Sequence, residues 1–425
     1  MIPSHIQLQR LPFGKWQKLF HTFDFKVGRF RIDVFFGDAD TRESRPSSNP
    51  SRSPSLMTTR AIPFLSAYLL LALSGSPASE PSAAGEIAVG AIRWDAWHGR
   101  ASEIGRAMEK SLSPPHWQGR LPFFAQVSPE GSVTISDGSD TVMTREIAHA
   151  KSAGLDYWAF CAYGADSPMS LALHRYLAHP ARDQVRFCLI GDASHWKPDS
   201  FESEAGRLAD LMALPCHQTV LGERPLFYLL NLAVESNEAA WAGAGGVRTA
   251  VATLRAAVSR RGLPEVYCVA MVPSPDQAKT FAEASGCDAI SAYAVQNGGR
   301  DAPYAELTAH VETYWQSSLA TGARLVPLAM TGWDRRPRVE HPVFWENNEG
   351  WGADLERFYQ APKPVEVGDH IRNAVEWARR HPIEAEARTV IVYAWNEFDE
   401  GGWICPTLGE GDARVRAVGA ALARP

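Results

Sequence analysis

Val390-Ile391-Val392-Tyr393-Ala394-Trp395-Asn396-Glu397-Phe398-Asp399-Glu400-Gly401-Gly402 is the stretch on which the reading of this chain turns. An apolar, β-branched run gives way at once to Asn, two Glu and an Asp. So continuous an apolar run belongs to a strand covered on both faces, as in parallel sheets packed by helices. Acidic residues crowded just past its carboxyl end repel one another unless something there uses them. In a parallel α/β architecture that end is where ligands are handled. The plainer alternative is that Glu397, Asp399 and Glu400 open a solvated loop or cap a helix. Against it, Trp395 before them and Trp403 after them form an aromatic frame that a solvated loop does not need. Glu397 and Glu400 are three residues apart, so on a helical turn their Cβ atoms are about 5–6 Å apart. That is a workable reach for two carboxyls flanking one glycosidic oxygen.

Outward from this strand, short apolar runs alternate with helix-period segments. Strands are expected at 87–92, 155–161, 185–190, 225–230, 265–271, 288–293, 325–330 and 390–395. Helices are expected near 140–153, 168–179, 200–213, 246–261, 275–285, 303–320, 368–380 and 411–423. Eight strands, each followed by a helix, define an α/β fold, a single closed (β/α)8 TIM barrel; an open doubly wound sheet would not need the eighth unit. Two connections are long: residues 93–139 after the first strand, with a hairpin-like 123–135, and residues 331–364 after the seventh. Both loops are expected to roof the same rim, where barrel function resides.

The amino-terminal part reads differently. Residues 1–56 show no sustained period and end in a Ser/Pro/Arg-rich patch at 41–55. Met57-Thr58-Thr59-Arg60 is then followed by an apolar run at 61–73 and small residues at 74–79, the pattern of a secretory signal peptide. The run is too short for a permanent membrane span. The expected organisation is an extension at 1–56, a signal peptide at 57–79 starting from Met57, and a barrel at 80–425, secreted or periplasmic and monomeric. Removing residues 1–79 takes away ten of the 42 Lys/Arg and five of the 48 Asp/Glu, leaving a formal net charge of −11. Such a domain does not seek nucleic acid or anionic membrane. Six Cys remain; Cys161, Cys188 and Cys268 sit in strand-like runs and read as buried thiols, whereas Cys216, Cys287 and Cys405 are undecided. His98, His195, His341 and Asp334 lack metal-ligand spacing, so neither metal nor cofactor is expected.

Of the 14 Trp, 13 lie beyond residue 79. Trp94, Trp97, Trp196, Trp333, Trp345, Trp351, Trp395 and Trp403 fall at or just after expected strand ends. Aromatic faces pack the apolar side of sugar rings while carboxylates and amides such as Asn396 take the hydroxyls. For a single Trp core packing is the better reading; eight on one rim are harder to dismiss. Tyr163 follows the second strand as a stacking candidate. Asp95, Asp192, Asn231, Tyr293 and Asp334 lie just past strands one, three, four, six and seven, where each could bind hydroxyls or equally cap a turn.

These residues resemble the glycoside hydrolase family 99-like proteins, the endo-α-mannosidases and their bacterial polysaccharide-associated relatives. Asn396-Glu397-Phe398-Asp399-Glu400-Gly401 looks like the family's Asn-Glu-Trp-X-Glu-Gly signature. Val89-Gly90-Ala91-Ile92-Arg93-Trp94 with Trp97-His98-Gly99 is similar to its first-strand aromatic cluster, and Gly332-Trp333-Asp334, followed by Arg335 and Arg336, also matches. Phe398 stands for the usual Trp, Asp399 adds a carboxylate, and Arg93 and Trp94 replace first-strand Tyr residues. These departures bear on mannose specificity more than on reaction class. The resemblance implies a barrel that cleaves internal α-mannosidic or related bonds with retention. In that mechanism Glu397 deprotonates the sugar 2-hydroxyl to give a 1,2-anhydro sugar. Glu400 protonates the leaving oxygen and then activates water. An acid in that role needs a raised pKa, and the neighbouring carboxylate is the expected source of the shift.

The sequence thus points to a retaining endo-type hydrolase of a polysaccharide or glycan. The alternatives are a non-catalytic glycan-binding barrel and a glycosyltransferase. If Met57 begins a signal peptide, the exported protein starts between about residues 75 and 86. N-terminal sequencing of secreted material checks this, and a mature chain beginning near Met1 would overturn it.

Overall fold

Runs rich in Val, Ile, Leu and aromatic residues form eight parallel strands in the computed structural model, which describes residues 86–136, 138–346 and 353–423. Residues 1–56, read above as an extension, residues 57–79, read as a signal peptide, and Trp351 lie outside the described residues. The strands are β1 Ala88–Arg93, β2 Tyr157–Cys161, β3 Arg186–Asp192, β4 Arg224–Leu230, β5 Tyr267–Met271, β6 Ala289–Ser291, β7 Leu328–Met330 and β8 Thr389–Tyr393. They hydrogen-bond in the order β7-β8-β1-β2-β3-β4-β5-β6. Between β6 and β7 the seam is bridged by Ile290 N to Arg324 O (2.8 Å), Val326 N to Ile290 O (3.0 Å) and Ser291 Oγ to Val326 O (2.8 Å). The result is a nearly closed (β/α)8 barrel. The strands expected at 288–293 and 325–330 shrink to three residues each, although Leu325 and Val326, ahead of β7, still pair with Ile290.

The helices are α1 Glu103–Leu112, α2 Asp140–Ser152, α3 Leu171–Ala178, α4 Phe201–Met212, α5 Val234–Trp241, α6 Val247–Ser259, α7 Pro275–Ser285, α8 Tyr304–Thr321, α9 Arg336–Glu340, α10 Pro364–Arg380 and α11 Ala413–Leu422. Local chemistry sets several ends. Ser102 Oγ accepts from Gly105 N (2.9 Å) and Ser139 Oγ from Val142 N (3.2 Å), each satisfying an amide at a helix start. Pro275 opens α7 and left-handed Gly286 closes it. Helices α1, α5 and α9 were not expected; they lie in the connections after β1, β4 and β7. The hairpin in the first long loop does form, pairing Gln126–Val127 with Val133–Thr134. Among the described residues no helix is long and apolar enough to cross a membrane.

Side chains rather than a pore fill the barrel. Tyr157 reaches across it, its hydroxyl bonded to Tyr228 Oη (2.9 Å) and Thr389 Oγ1 (2.9 Å), so β2, β4 and β8 share one buried polar knot. Its ring occupies the space beside Gly90 on β1, where a Cβ would stand 2.1 Å from Tyr157 Cζ. Gly90→Ala therefore forces the ring and its hydrogen bonds to move, costing roughly 1–3 kcal/mol as overpacking does. Urea unfolding of the purified protein reads this; an unchanged midpoint would contradict the packing account.

Candidate active site

Where the strands end, their loops enclose a cavity of about 750 Å³ to which every strand contributes. Trp94 follows β1, Tyr163 follows β2, Asp192 ends β3, Leu230 ends β4, Pro273 follows β5 and Tyr293 follows β6. Trp333, Arg335 and Arg338 come from the loop after β7, and Glu397 and Glu400 from the loop after β8. This is the ligand-handling end of a parallel barrel. The wall near β2–β5 is mainly apolar, with Met169, Ile190, Leu230 and Pro273, whereas the β7–β8 side carries the charge.

The carboxylate turn is locked from both neighbours. Asp334 N donates to Glu400 O (2.6 Å), bringing the loops after β7 and β8 into backbone contact. Gly401 makes this approach possible: its φ is +85° and a Cβ there would lie 2.5 Å from Asp334 N. From α9, the guanidinium of Arg338 forks onto Asp399, with Nε to Oδ2 at 2.7 Å and Nη2 to Oδ1 at 3.1 Å. Its Nη1 donates to Glu400 Oε1 (2.5 Å) and Glu346 Oε1 (2.6 Å). Glu400 also receives the Tyr393 hydroxyl on Oε2 and has Arg335 Nε 3.3 Å from Oε1. Glu397 is served more sparingly. Tyr293 donates to its Oε1 (2.5 Å), while Oε2, 3.7 Å from Arg338, has no hydrogen-bond partner.

This asymmetry decides the charge. Burial and the charge of Glu400 push the Glu397 carboxyl well above its usual range, only partly offset by Arg338 and Tyr293. Burial would raise Glu400 too, but Arg338, Arg335 and the Tyr393 hydroxyl outweigh it and hold that carboxyl below its usual range. Of the two carboxyls, Glu397 is therefore the one that favours the proton and Glu400 the one that favours the charge. The sequence reading expected the raised pKa at Glu400; the two arginines, absent from that reasoning, invert it. Burial keeps the hydroxyls of Tyr293 and Tyr393 protonated as donors.

Of the residues singled out from sequence, Trp94, Tyr163, Asp192, Tyr293, Trp333, Trp345, Glu397 and Glu400 line the cavity. Asp95, Trp97, Asn231, Asp334, Trp395 and Asn396 stand behind its wall. Asp95 is bound by Arg93 Nε (2.7 Å) and Asn396 Nδ2 (3.2 Å), and burial pushes its carboxyl up to about 6 despite Arg93. Asn396 also accepts from Trp94 N (2.9 Å), and Trp395 donates to Glu146 (3.0 Å), which holds Arg93 Nη2 (2.9 Å). These residues lace β1 to β8 below the floor. Trp97 packs edge-on against Phe398, with ring centroids 4.9 Å apart. Asn231 accepts from Asn237 (2.5 Å), and Asp334 is bound by Arg336 (2.8 and 2.9 Å) and by Arg120. Nearby partners take the polar groups of Asp95, Asn396, Trp395 and Asp334, whereas Trp97 Nε1 and Asn231 Nδ2 are left without a hydrogen-bond partner.

Sequence reasoning missed Arg338, Glu346 and Tyr393; the one available signal was the run of Arg335, Arg336 and Arg338 in an otherwise acidic rim. Among the described residues no group of three or more His, Cys, Asp or Glu is arranged to hold a metal ion.

The fold and site together define a (β/α)8 barrel with a buried, unequally charged glutamate pair at its carboxyl-terminal rim. The comparisons agree on the fold. The chain is similar to the structure of a glycoside hydrolase family 99 endo-α-mannosidase from Bacteroides thetaiotaomicron in complex with bis-tris-propane, at 14% identity and TM-score 0.51, covering 79% of this chain and 95% of that one. A second structure of such an enzyme from that organism matches at 15% identity and TM-score 0.50, covering 79% and 96%. No protein-family model matches the sequence, and neither does any curated protein.

Arg338→Met removes the main cation from Glu400, so the acid limb of any pH–activity profile should move upward, toward or past the ordinary carboxylate range, with activity near neutrality falling about tenfold or more. Activity assayed from pH 3 to 9 checks this; an unmoved acid limb would show that Arg338 does not set the charge of the pair.

Proposed function

We propose that this protein is a retaining glycoside hydrolase that cleaves within a polysaccharide or glycan, using Glu397 and Glu400, after export directed by the leader at 57–79. The observation that carries the reading is the pair itself. The carboxyl of Glu400 is held below its usual range, that of Glu397 is pushed well above it and has an unpartnered oxygen, and both line a cavity framed by Trp94, Trp333 and Trp345. A glycosidic bond needs one carboxyl to deliver a proton and another to meet the developing positive charge. The fold shared with endo-α-mannosidases makes an internal mannosidic or related linkage the first substrate class to test. A neutral glycan suits the rim better than an anionic one, since Asp192, Glu346 and Glu400 outnumber Arg335 and Arg338 there even with Glu397 left out of the count.

In the assignment drawn from the resemblance, Glu397 takes the 2-hydroxyl proton and Glu400 serves as acid and base. Because the surroundings favour the proton on Glu397 over Glu400, this assignment requires substrate to shift that preference. A 2-hydroxyl donating to the unpartnered Oε2 would favour the charged form of Glu397, and the pair would pass its proton to Glu400. A second reading follows from the preference as it stands: Glu397 is the acid and Glu400 the nucleophile.

Leaving-group dependence separates the two. The first assignment requires Glu400→Gln to lose about 10²-fold or more on a natural polysaccharide but little on an aryl glycoside with a good leaving group, while Glu397→Gln loses activity on both. Reducing-end assays and initial rates give the answer. The opposite pattern, with a 2-fluoro sugar trapped on Glu400, establishes the second reading. An inverted first product would overturn both, and a protein that binds glycan yet never raises reducing ends is a binding barrel.

A further inference from the structure

We infer that Cys268 and Cys287 form an intramolecular disulfide when the chain meets a disulfide oxidant. Cys268 lies on β5 and is fully buried; Cys287 follows α7 and is half-buried. Their sulfurs are 2.9 Å apart, inside the roughly 3.5–4.0 Å optimum for non-bonded heavy atoms. Among the six cysteines this is the one thiol–thiol contact. The backbone supports it. Asp288 N donates to Cys268 O (2.7 Å) and Cys268 N to Asp288 Oδ2 (2.9 Å), so Cys287 immediately precedes the residue paired with Cys268. Neighbouring strands spaced about 4.8 Å apart fall within the Cα separation, roughly 4.4–6.8 Å, that a disulfide spans.

The difference in exposure gives an order of events. The Cys287 thiolate attacks one sulfur of a small-molecule disulfide such as oxidised glutathione, forming a mixed disulfide and releasing one glutathione thiolate. Cys268 then loses its proton and attacks Cys287 Sγ, expelling the second. Two electrons pass to the oxidant's sulfur–sulfur bond, and the two cysteine protons end on the two glutathione thiols. The link closes a loop containing α7 and fastens β6 to β5. Strand β6 is only three residues long and borders the bridged seam of the barrel. Tyr293, two residues beyond it, donates to Glu397, so the staple holds the strand that positions this donor.

The full chain is incubated with oxidised glutathione, both folded and during refolding from urea, and a parallel sample with excess reduced dithiol. Both are denatured, alkylated, and mapped as peptides by mass spectrometry. The expected result is four alkylated cysteines in the oxidised samples against six in the reduced one, with a peptide pair joined through Cys268 and Cys287. Cys287→Ser, with an unchanged circular dichroism spectrum, should retain five alkylated cysteines under either treatment. Six free thiols after both oxidation protocols, a link through any other cysteine, or glutathione left on Cys287 would overturn the inference.

Discussion

The rim is organised around one buried guanidinium. Arg338 is 4% exposed and faces Asp399, Glu400 and Glu346 at hydrogen-bonding distance, with Glu397 slightly farther off. Removing so many charges from water costs several kcal/mol per ion unless attraction and hydrogen bonds offset it. Arg338 supplies much of that offset and Arg335 adds to it. Four carboxyls still outnumber two arginines, and the excess is relieved where arginine contact is weakest. That place is Glu397, whose carboxyl is pushed well above its usual range.

The protonation pattern follows from where the loops are anchored. Helix α9, five residues long, could not persist alone. It is held because its loop meets the turn after β8 at Gly401, and because Asp334 is fixed by Arg120 and Arg336. On the other side, the lattice of Arg93, Asp95, Glu146, Trp395 and Asn396 joins the ends of β1 and β8 under the cavity floor. The glutamates thus ride on a turn clamped from two directions, the kind of support that keeps a reacting geometry tight. The apolar wall near β2–β5 lowers the local dielectric and strengthens each of these charge contacts.

The barrel was legible in the sequence because its signals are local. Each strand announces itself by a short apolar run, each long helix by its period, and the turn after β8 by an abrupt change from Val-Ile-Val to acids. Helices α1, α5 and α9 were not legible, since a short helix in a rim loop owes its existence to what it packs against. Trp97, Trp395 and Asp334 resembled ligand-binding residues for a related reason: lying near a strand end does not reveal which way a side chain turns.

The sequence by itself determined the eight-fold alternation, the position of Glu397 and Glu400 past the last strand, and the cluster of aromatic residues at the rim. These depend on residue type and spacing along one segment, which a single chain displays. Only the tertiary structure decided which candidates line the cavity, which glutamate favours the proton, and that Cys268 meets Cys287. Each of those depends on a partner distant in sequence: Arg338 lies 62 residues from Glu400, and Tyr293 lies 104 from Glu397. A carboxyl's charge is set by the neighbours the fold delivers to it, and their delivery is not written beside it in the chain.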